Sequence, residues 1–426
     1  MRGLRTSATI AMMTGLSSAS ALPVAAQEPG SGRDTCSVPA DARIDSAGVP
    51  DGFCAWQWAT DLGEPRGIIV DDSGDVLALT RPSGSIVLLH DDNGDGVSGD
   101  GERVMMADGL GLNHGLAIDD GHLYASSGAT VYRWDYPGDR MPLGEAEVVI
   151  QDIPSGGNHT TRTLVFDDAF LYVSVGSASD VDRDSSRARI RRFATAGLSG
   201  GPIDFADGEV FADGLRNEVG LAFDPRGQLW GVENGRDELW RFDFDPPDIH
   251  QDNPAEELNL FAEPGRFYGY PYCWSEFSLP EGQGLGPGTQ WAEPAFIDDG
   301  IHTDQWCRDP DNVVPPVLAM QGHSAPLDLL FYTGGSFPED YIGDAIVAFH
   351  GSWNRSVPTG YMVVRIPFGR DGMPDGDPQP LLEYAGAGDF ASEWPHRPVG
   401  LAIMPNGPLL VSSDASGSVL AIDHSP

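Results

Sequence analysis

The feature that most restricts the fold of this chain is a unit that recurs six times. Each copy is an apolar run, a short turn and a second apolar run, typically followed by Ser, Glu or Asp. The copies span residues 66–79, 115–126, 163–175, 220–232, 327–349 and 400–412. Their turns, such as DDSGD and DPRGQ, have hairpin chemistry, so each copy is predicted to be a pair of antiparallel strands.

Shorter apolar segments follow the copies and would add further strands to each unit. They lie at 85–89, 130–134, 187–193, 238–242, 362–367 and 419–422. Four short strands per unit, repeated at near-regular spacing, favour radial packing because it buries both faces of each sheet and leaves few open edges. We therefore predict an all-β fold, a six-bladed β-propeller with four-stranded antiparallel blades.

A longer interval separates the fourth and fifth copies. Its residues 246–316 are rich in Gly, Pro and aromatic residues and contain Cys273 and Cys307. We interpret this stretch as an insertion that covers one face of the propeller and is clipped by a disulfide. A seventh blade is the alternative.

The N-terminal residues are typical of an exported protein. Residues 1–26 combine Arg2 and Arg5, a short apolar stretch and a small-residue cleavage site, which predicts a signal peptide. A retained anchor is the alternative. We expect a periplasmic or secreted protein with an N-terminal segment at 27–60 and a catalytic propeller at 61–426. No later stretch is apolar enough to span a membrane.

Four cysteines remain after the predicted signal peptide. An even number in an exported chain favours disulfides over thiol chemistry or zinc binding. Closeness in sequence suggests the pairs Cys36–Cys54 and Cys273–Cys307, although four cysteines allow three connectivities.

The charge of the chain restricts its partners. It has 25 basic residues, all of them arginine, against 64 acidic residues, which gives a formal net charge of −39. Such a charge repels nucleic acids and anionic membranes, and we expect neither as a partner. A cluster of arginines on this acidic background is expected to bind a specific anion.

Polar residues precede the first run of most copies, at equivalent positions of the repeat. They are His114, His159, Arg216, Asn217, His323 and Arg397. Ligand sites of propellers lie in the loops around one mouth of the central channel, so we expect these side chains to converge there. A chance arrangement of polar loop residues is the alternative.

Three phrases in the chain carry a resemblance to a known family. They are NHTTRTL at 158–164, LRNEVG at 215–220 and GSWNR at 351–355. Together with the repeat, they resemble the glucose and sorbosone dehydrogenase family. Its members are soluble six-bladed propellers that oxidise sugars with pyrroloquinoline quinone (PQQ). The second phrase departs from the family pattern, because Glu218 stands where the family usually has Pro.

The resemblance implies roles for individual residues. His159 would be the proton acceptor, a role that suits a neutral imidazole. The cofactor-binding residues would be Arg216, Asn217, Arg355, Arg397, Asn113, His114, Trp353, Asn354 and His323. Guanidinium groups suit a tricarboxylate quinone because they are planar and permanently charged. Some family members use a lysine here, and this lysine-free chain would use Arg355. A structural histidine and ordinary surface ion pairs are the alternatives.

Two calcium sites are also predicted. The resemblance places one beside the cofactor, held partly by backbone oxygens of Gly235, Arg236 and Asp237. The second is a structural site at 91–102, which matches the full D-x-[DN]-x-[DN]-G-x₅-E loop. Its ligands would be Asp91, Asn93, Asp95, Val97 and Glu102. An acidic turn without a metal is the alternative in both places.

The predicted function is PQQ-dependent oxidation of an aldose, or of an aldehyde sugar such as sorbosone, to its lactone or acid. His159 would take the hydroxyl proton while a hydride passes to the quinone. The chain has no CxxCH haem-attachment motif, so an external electron acceptor, a quinone or a cytochrome, is expected. A calcium-dependent six-bladed lactonase and a non-catalytic binding propeller are the alternatives.

Overall fold

The computed structural model describes residues 38–405 and 407–425. Six small sheets are arranged in a ring, and their innermost strands contact one another in a closed circle. The predicted six-bladed β-propeller is thus confirmed. The predicted signal peptide at 1–26 and Cys36 lie outside the described residues.

The strands are numbered in chain order. Two precede the first blade: β1 (Ala47–Gly48) and β2 (Phe53–Ala59). Blade one comprises β3 (Glu64–Val70), β4 (Val76–Arg81), β5 (Ser85–Leu89) and β6 (Arg103–Ala107). Blade two comprises β7 (Leu112–Asp119), β8 (His122–Ser127), β9 (Val131–Asp135), β10 (Glu147–Gln151) and β14 (Ile203–Asp204). Blade three comprises β11 (Leu164–Phe166), β12 (Phe170–Val175), β13 (Arg189–Ala194), β15 (Glu209–Asp213) and β19 (Arg266–Phe267).

The second half of the ring follows the same pattern. Blade four comprises β16 (Glu218–Phe223), β17 (Leu229–Glu233), β18 (Glu256–Leu260) and β22 (Leu318–Met320). Blade five comprises β23 (Pro326–Phe331), β24 (Ala345–Phe349), β25 (Met362–Ile366) and β26 (Gln379–Tyr384), with β1 at its edge. Blade six comprises β27 (Pro398–Ile403), β28 (Leu409–Ser413) and β29 (Ser418–His424), with β2 as its outer strand. A separate ribbon pairs β20 (Cys273–Ser275) with β21 (Gln290–Ala292).

Helical structure is confined to short elements in the described residues. The α-helix is α1 (Asp304–Cys307), and 3-10 turns lie at Ala40–Ala42, Thr195–Gly197, Phe205–Asp207, Glu339–Tyr341 and Ala391–Glu393.

Every blade has the predicted four antiparallel strands, and three blades carry a fifth strand at the outer edge. The strands β14 and β19 pair in parallel with β10 and β15, whereas β1 pairs antiparallel with β26. Because β2 pairs with β29, strands from the two ends of the chain close blade six together. The propeller therefore begins before residue 61, the boundary expected from the sequence.

Glycine on the innermost strands lets neighbouring blades approach closely. A Cβ at Gly115 would overlap with the carbonyl oxygen of Arg162, which belongs to the next blade. The hydroxyl of Ser126 reinforces this junction, because it accepts from the N–H of Gly115 and donates to the same carbonyl. Gly400 stands in the same way against the carbonyl of Arg66. Close packing between blades explains why Gly recurs in the copies.

The interval between the fourth and fifth copies supplies two strands of blade four as well as an insertion. The third strand of that blade, β18, lies inside the predicted insertion at 246–316. The strand predicted at 238–242 was wrong: Leu239 is buried against the insertion, Trp240 and Phe242 are exposed, and β18 takes the place beside β17. The disulfide Cys273–Cys307 is confirmed and joins β20 to α1.

Candidate functional site

A cavity of about 490 Å³ opens where the loops before the innermost strands meet. Its volume lies in the range of small-molecule binding sites. Many of the predicted site residues line it: His159, Arg216, Asn217, Gly235, Asp237, His323, Trp353, Asn354 and Arg397. The structure therefore brings most of the repeat-equivalent polar residues together.

The imidazole of His159 is held in one tautomer. Its Nδ1 lies 2.8 Å from the carbonyl oxygen of Ser177 and 3.0 Å from the hydroxyl oxygen of that residue. A carbonyl oxygen can only accept, so Nδ1 carries the proton and Nε2 of the neutral ring keeps its lone pair. No hydrogen-bonding partner binds Nε2 among residues 38–405 and 407–425.

The surroundings of His159 favour the neutral ring. Burial lowers the pKa of His159 to about 4, and the positive charge of Arg216 acts in the same direction. The imidazole is therefore unprotonated near neutral pH. A neutral ring with a free Nε2 at the edge of a cavity has the form required of a general base.

The guanidinium of Arg216 lies on the side of the cavity that blade four supplies. It donates to the carbonyl of Gly235 over 2.5 Å and to carboxylate oxygens of Asp180 and Asp237 over 3.0 and 2.9 Å. Burial raises the pKa of Asp237, and the charge of Arg216 opposes that effect. Arg216 thus places a positive charge beside both the cavity and His159.

The guanidinium of Arg397 has a different set of partners. Its Nε and Nη2 donate to the carbonyl oxygens of His350 and Gly351 over 2.9 and 2.6 Å. Its guanidinium carbon also lies 5.1 Å from the ring centre of Tyr361. No carboxylate of the described residues forms an ion pair with Arg397, although acidic residues greatly outnumber basic ones. This cation lines the cavity without a counter-ion from the protein.

Blades one, five and six add an ionic cluster that the sequence reasoning missed. The carboxylate of Asp414 accepts from Arg66 over 2.7 Å and from Nε2 of His350 over 2.8 Å, and Arg81 lies 3.7 Å away. Burial alone would raise the pKa of Asp414, but His350 and Arg66 hold it well below its usual range. All four residues line the cavity. Arg66 opens the first copy of the repeat, and that position was its only sequence signal.

Several predicted site residues do not line the cavity. The guanidinium of Arg355 pairs with Asp252 over 3.1 Å and donates to the carbonyl of Val357. His114 is buried within blade two, and burial lowers its pKa well below the usual value. The amide of Asn113 donates to the carbonyl of Thr160. These residues are close to the site but contact the protein rather than the cavity.

Two of the backbone oxygens predicted to bind calcium beside the cavity have protein partners in this structure. The carbonyl of Gly235 accepts from Arg216 and that of Asp237 accepts from Nδ2 of Asn354, whereas the side chain of Arg236 pairs with Asp180 and Glu293. A calcium ion held by Gly235, Arg236 and Asp237 stays a prediction.

The loop at 91–102 folds around its own acidic residues. The carboxylate of Asp91 accepts from the N–H groups of Gly94, Asp95 and Gly96, and that of Glu102 accepts from Asp92, Asn93 and Gly99. Within the described residues, no group of three or more His, Cys, Asp or Glu side chains is arranged to hold a metal ion. A calcium ion at Asp91, Asn93, Asp95, Val97 and Glu102 therefore stays a prediction.

Glu218, which replaces the family's Pro, begins a row of buried carboxyl groups across blade four. It is the cross-strand neighbour of Glu233, which in turn neighbours Glu257. Burial, together with the nearby Glu257, raises the pKa of Glu218 well above its usual value. Glu233 accepts a hydrogen bond from the backbone N–H of Arg216. The row thus supports the strand end that presents Arg216 and Asn217.

Comparison with known proteins places this site in a family. A family model described as TrAA12-like matches residues 47–425. The chain belongs to the TrAA12-like family. The resemblance inferred from the sequence phrases is thereby confirmed.

Two relatives of this TrAA12-like chain have names that state an activity. One is a pyrroloquinoline quinone-dependent sugar dehydrogenase from Hypocrea jecorina, 32% identical over 406 residues, which are 87% of this chain and 88% of the relative. The other is a pyrroloquinoline quinone-dependent pyranose dehydrogenase from Coprinopsis cinerea, 31% identical over 411 residues. That match covers 88% of this chain but 54% of the relative, so the chain spans about half of the longer protein. Both names are those of oxidoreductases.

Solved structures agree with this assignment. The calcium structure of a Trichoderma reesei enzyme of Carbohydrate-Active Enzymes family AA12 superposes with a TM-score of 0.78 at 31% identity, covering 92% of this chain and 99% of that one. The holo form of the pyranose dehydrogenase PQQ domain from Coprinopsis cinerea gives a TM-score of 0.76 at 28% identity, covering 90% and 98%. In the described part of this TrAA12-like chain, no helix is long and apolar enough to cross a membrane.

Proposed function

We propose that this chain is a PQQ-dependent sugar dehydrogenase that oxidises an aldose, or an aldehyde sugar such as sorbosone, to its lactone or acid. One observation carries the proposal. His159, whose Nε2 is free in the described structure, lines a cavity together with Arg66, Arg81, Arg216 and Arg397. Four guanidiniums around one cavity, in a chain with 64 acidic residues, form a site for a polyanion.

The residues present fit a tricarboxylate quinone. Arg397 lines the cavity without an ion pair in the described structure, and Arg66 and Arg81 line it while sharing the carboxylate of Asp414. Carboxylates in this cavity would supply counter-ions to these guanidiniums. Arg397, Arg66 and Arg81 would hold the cofactor, with Arg216, Asn217, His323, Trp353 and Asn354 around it. Bound quinone would supply the hydride-accepting chemistry that no side chain offers.

His159 would act on the sugar. Its Nε2 takes the proton of the hydroxyl at the carbon that is oxidised, while Ser177 keeps the ring in the tautomer that leaves this nitrogen free. Burial of the ring keeps it neutral before substrate binds. The positive charge of Arg216 further disfavours protonation of the ring.

Calcium, export and the electron acceptor belong to the proposal. We infer a calcium ion at residues 91–102 from the complete loop pattern. A second calcium ion beside the cavity would be held partly by the backbone oxygens of Gly235, Arg236 and Asp237, and its binding would displace Arg216 from the first and Asn354 from the last. A chain with a net charge of −39 suits a soluble exported enzyme, periplasmic or secreted, that passes electrons to an external quinone or cytochrome.

Reconstitution tests the function. Apoprotein is titrated with PQQ in the presence of calcium, and reduction of a dye acceptor is followed with a panel of aldoses and aldehyde sugars. We expect PQQ-dependent dye reduction with at least one sugar. Hydrolysis of a lactone panel that depends on calcium and not on PQQ would instead support a lactonase, and no activity in either assay would support a binding propeller.

A further inference from the structure

The backbone around His159 is held by side chains to an unusual extent. We call residues 154–161 the His159 loop. The guanidinium of Arg162 donates to the carbonyl oxygens of His159 over 3.0 Å and Thr161 over 2.5 Å. Its other nitrogen donates to the carbonyl of Pro154 over 2.7 Å. One side chain thus joins both ends of the loop.

The carbonyl of Thr160, between those of His159 and Thr161, is held by a side chain from another blade. Nδ2 of Asn113, on β7 of blade two, donates to the carbonyl oxygen of Thr160 over 2.8 Å. Three successive carbonyls, at 159, 160 and 161, therefore each accept from a side chain. The three peptide planes that follow the His159 Cα have little freedom to rotate.

A second arginine holds the part of the loop that is farther from His159. The guanidinium of Arg187 donates to the carbonyls of Ser155 and Gly156. It also lies 3.6 Å from the carboxylate of Asp184. Arg187 thus also donates to loop carbonyls, but at Ser155 and Gly156, and it has Asp184 as a counter-ion.

Arg162 has no such counter-ion. Its side chain is 0% exposed, and no carboxylate of the described residues pairs with it. Burial lowers the pKa of Arg162 to about 10, and the charge of Arg187 adds to that effect. A buried, unpaired cation is costly, so its hydrogen bonds to the loop must offset a large desolvation penalty. A residue that served only to fill this space could be apolar.

We propose that Arg162 is a positioning residue for His159. Its guanidinium fixes the carbonyls of His159 and Thr161, and Asn113 fixes that of Thr160 between them. The backbone then directs the ring toward Ser177, which leaves Nε2 facing the cavity. This inference rests on the proposed role of His159 as the base.

The test compares two matched substitutions in the full chain, Arg162→Lys and Arg187→Lys. Each keeps the charge but loses the fork that reaches several carbonyls. We measure kcat and KM for the sugar, the affinity for PQQ, and hydrogen–deuterium exchange of the peptide that contains residues 154–163 in the apoprotein. Asn113→Ala is the second variant, because it removes one contact at a half-buried position and is expected to fold.

For Arg162→Lys we expect kcat to fall about 10- to 100-fold, since small misplacement of a catalytic group has effects of this size. KM and the affinity for PQQ should change less than about threefold, because the cavity arginines are untouched. Asn113→Ala should also lower kcat. Exchange in the 154–163 peptide should be faster in both. Arg187→Lys should speed exchange but leave kcat within about threefold.

Equal loss of kcat in the two lysine variants would overturn the proposal, because general loosening of the loop would then explain the effect. Unchanged kcat in both Arg162→Lys and Asn113→Ala would overturn it as well. Inactive wild-type holoenzyme would count against the proposed function instead. In that case the apoprotein exchange still tests the loop, and unchanged exchange in Arg162→Lys would count against the positioning role.

Discussion

Nδ1 of His159 donates its proton to the carbonyl oxygen of Ser177 over a distance of 2.8 Å. This bond determines which ring nitrogen carries the proton, because a carbonyl oxygen can only accept. The lone pair on Nε2 is available without any prior proton transfer. The catalytic proposal therefore depends on a tautomer that the backbone sets.

Replacing this base should remove catalysis and keep binding. We expect His159→Asn to lower kcat by about 10²- to 10⁴-fold, the usual contribution of a general base. The affinity for PQQ should stay within a few-fold, because the guanidiniums remain in place. Steady-state dye reduction and equilibrium binding of the quinone to the apoprotein measure the two effects separately. A variant that keeps wild-type kcat would rule out His159 as the base.

Loss of a cavity arginine should weaken binding of PQQ, in contrast to loss of the base. Arg397→Gln removes a cation that has no counter-ion in the described structure, and hydrogen bonds to charged groups contribute about 1.5–3 kcal/mol. We expect the affinity for PQQ to fall about 10- to 100-fold. Arg266→Gln is the matched control, since Arg266 pairs with Glu263 on the surface and should leave binding unchanged. Equal affinities in both variants would contradict a cofactor role for Arg397.

The disulfide of the insertion should stabilise the protein. Cys273 and Cys307 are 34 residues apart, and closing a loop of that length lowers the entropy of the unfolded chain. We expect the double variant Cys273→Ser and Cys307→Ser to lose about 3–4 kcal/mol of unfolding free energy. Denaturant unfolding of the apoprotein measures this value. A loss much below 1 kcal/mol would mean that β20 and α1 are held mainly by packing.

Stability should also depend on pH through Glu256. Burial raises the pKa of Glu256 to about 7, although it accepts from the N–H groups of Gly235 and Ala325. A carboxyl whose folded pKa is raised contributes stability at low pH, and that contribution is lost as pH rises through about 7. Burial also raises the pKa of Asp328 to about 7, so between pH 6.5 and 8 we expect the wild type to lose about 1 kcal/mol more stability than Glu256→Gln.

The direction of the pH effect separates Glu256 from the histidines. Burial lowers the pKa of both His159 and His396 from 6.5 to about 4. Their contribution to stability is lost as pH falls through 6.5 toward 4, so it increases with pH, opposite to that of Glu256. The difference in thermal unfolding between the wild type and Glu256→Gln at pH 6.5 and 8 therefore reports on this carboxyl group. Identical slopes in the wild type and Glu256→Gln would show that another group dominates.

The repeat predicted the fold well because a propeller is built from local pairs. Hairpin turns at equivalent positions use the same chemistry: Asp71 and Asp224 each accept from N–H groups two and four residues later. The strand predicted at 238–242 failed because blade four takes its third strand from 256–260 instead. A long connection separates β17 from β18, so a prediction that pairs neighbouring segments of the sequence does not find this strand pair.

The site was predicted in part, for a similar reason. His159, Arg216 and Arg397 precede first runs of the repeat, and the ring brings such positions together. The pair Arg66–Asp414 was missed because 348 residues separate its members and only closure of the ring joins them. Arg355 was expected at the cavity, but it donates to the carbonyl of Val357 and pairs with the carboxylate of Asp252. Local hydrogen bonds decided its direction, and sequence position does not reveal them.

The most direct measurement follows the absorbance of PQQ as it is added to apoprotein in the presence of a sugar that the wild type oxidises. We expect the wild type to bind one equivalent and to reduce it, and His159→Asn to bind one equivalent that stays oxidised. Reduction at the wild-type rate by His159→Asn, or no binding of the quinone by the wild type, would show that this cavity does not work as described.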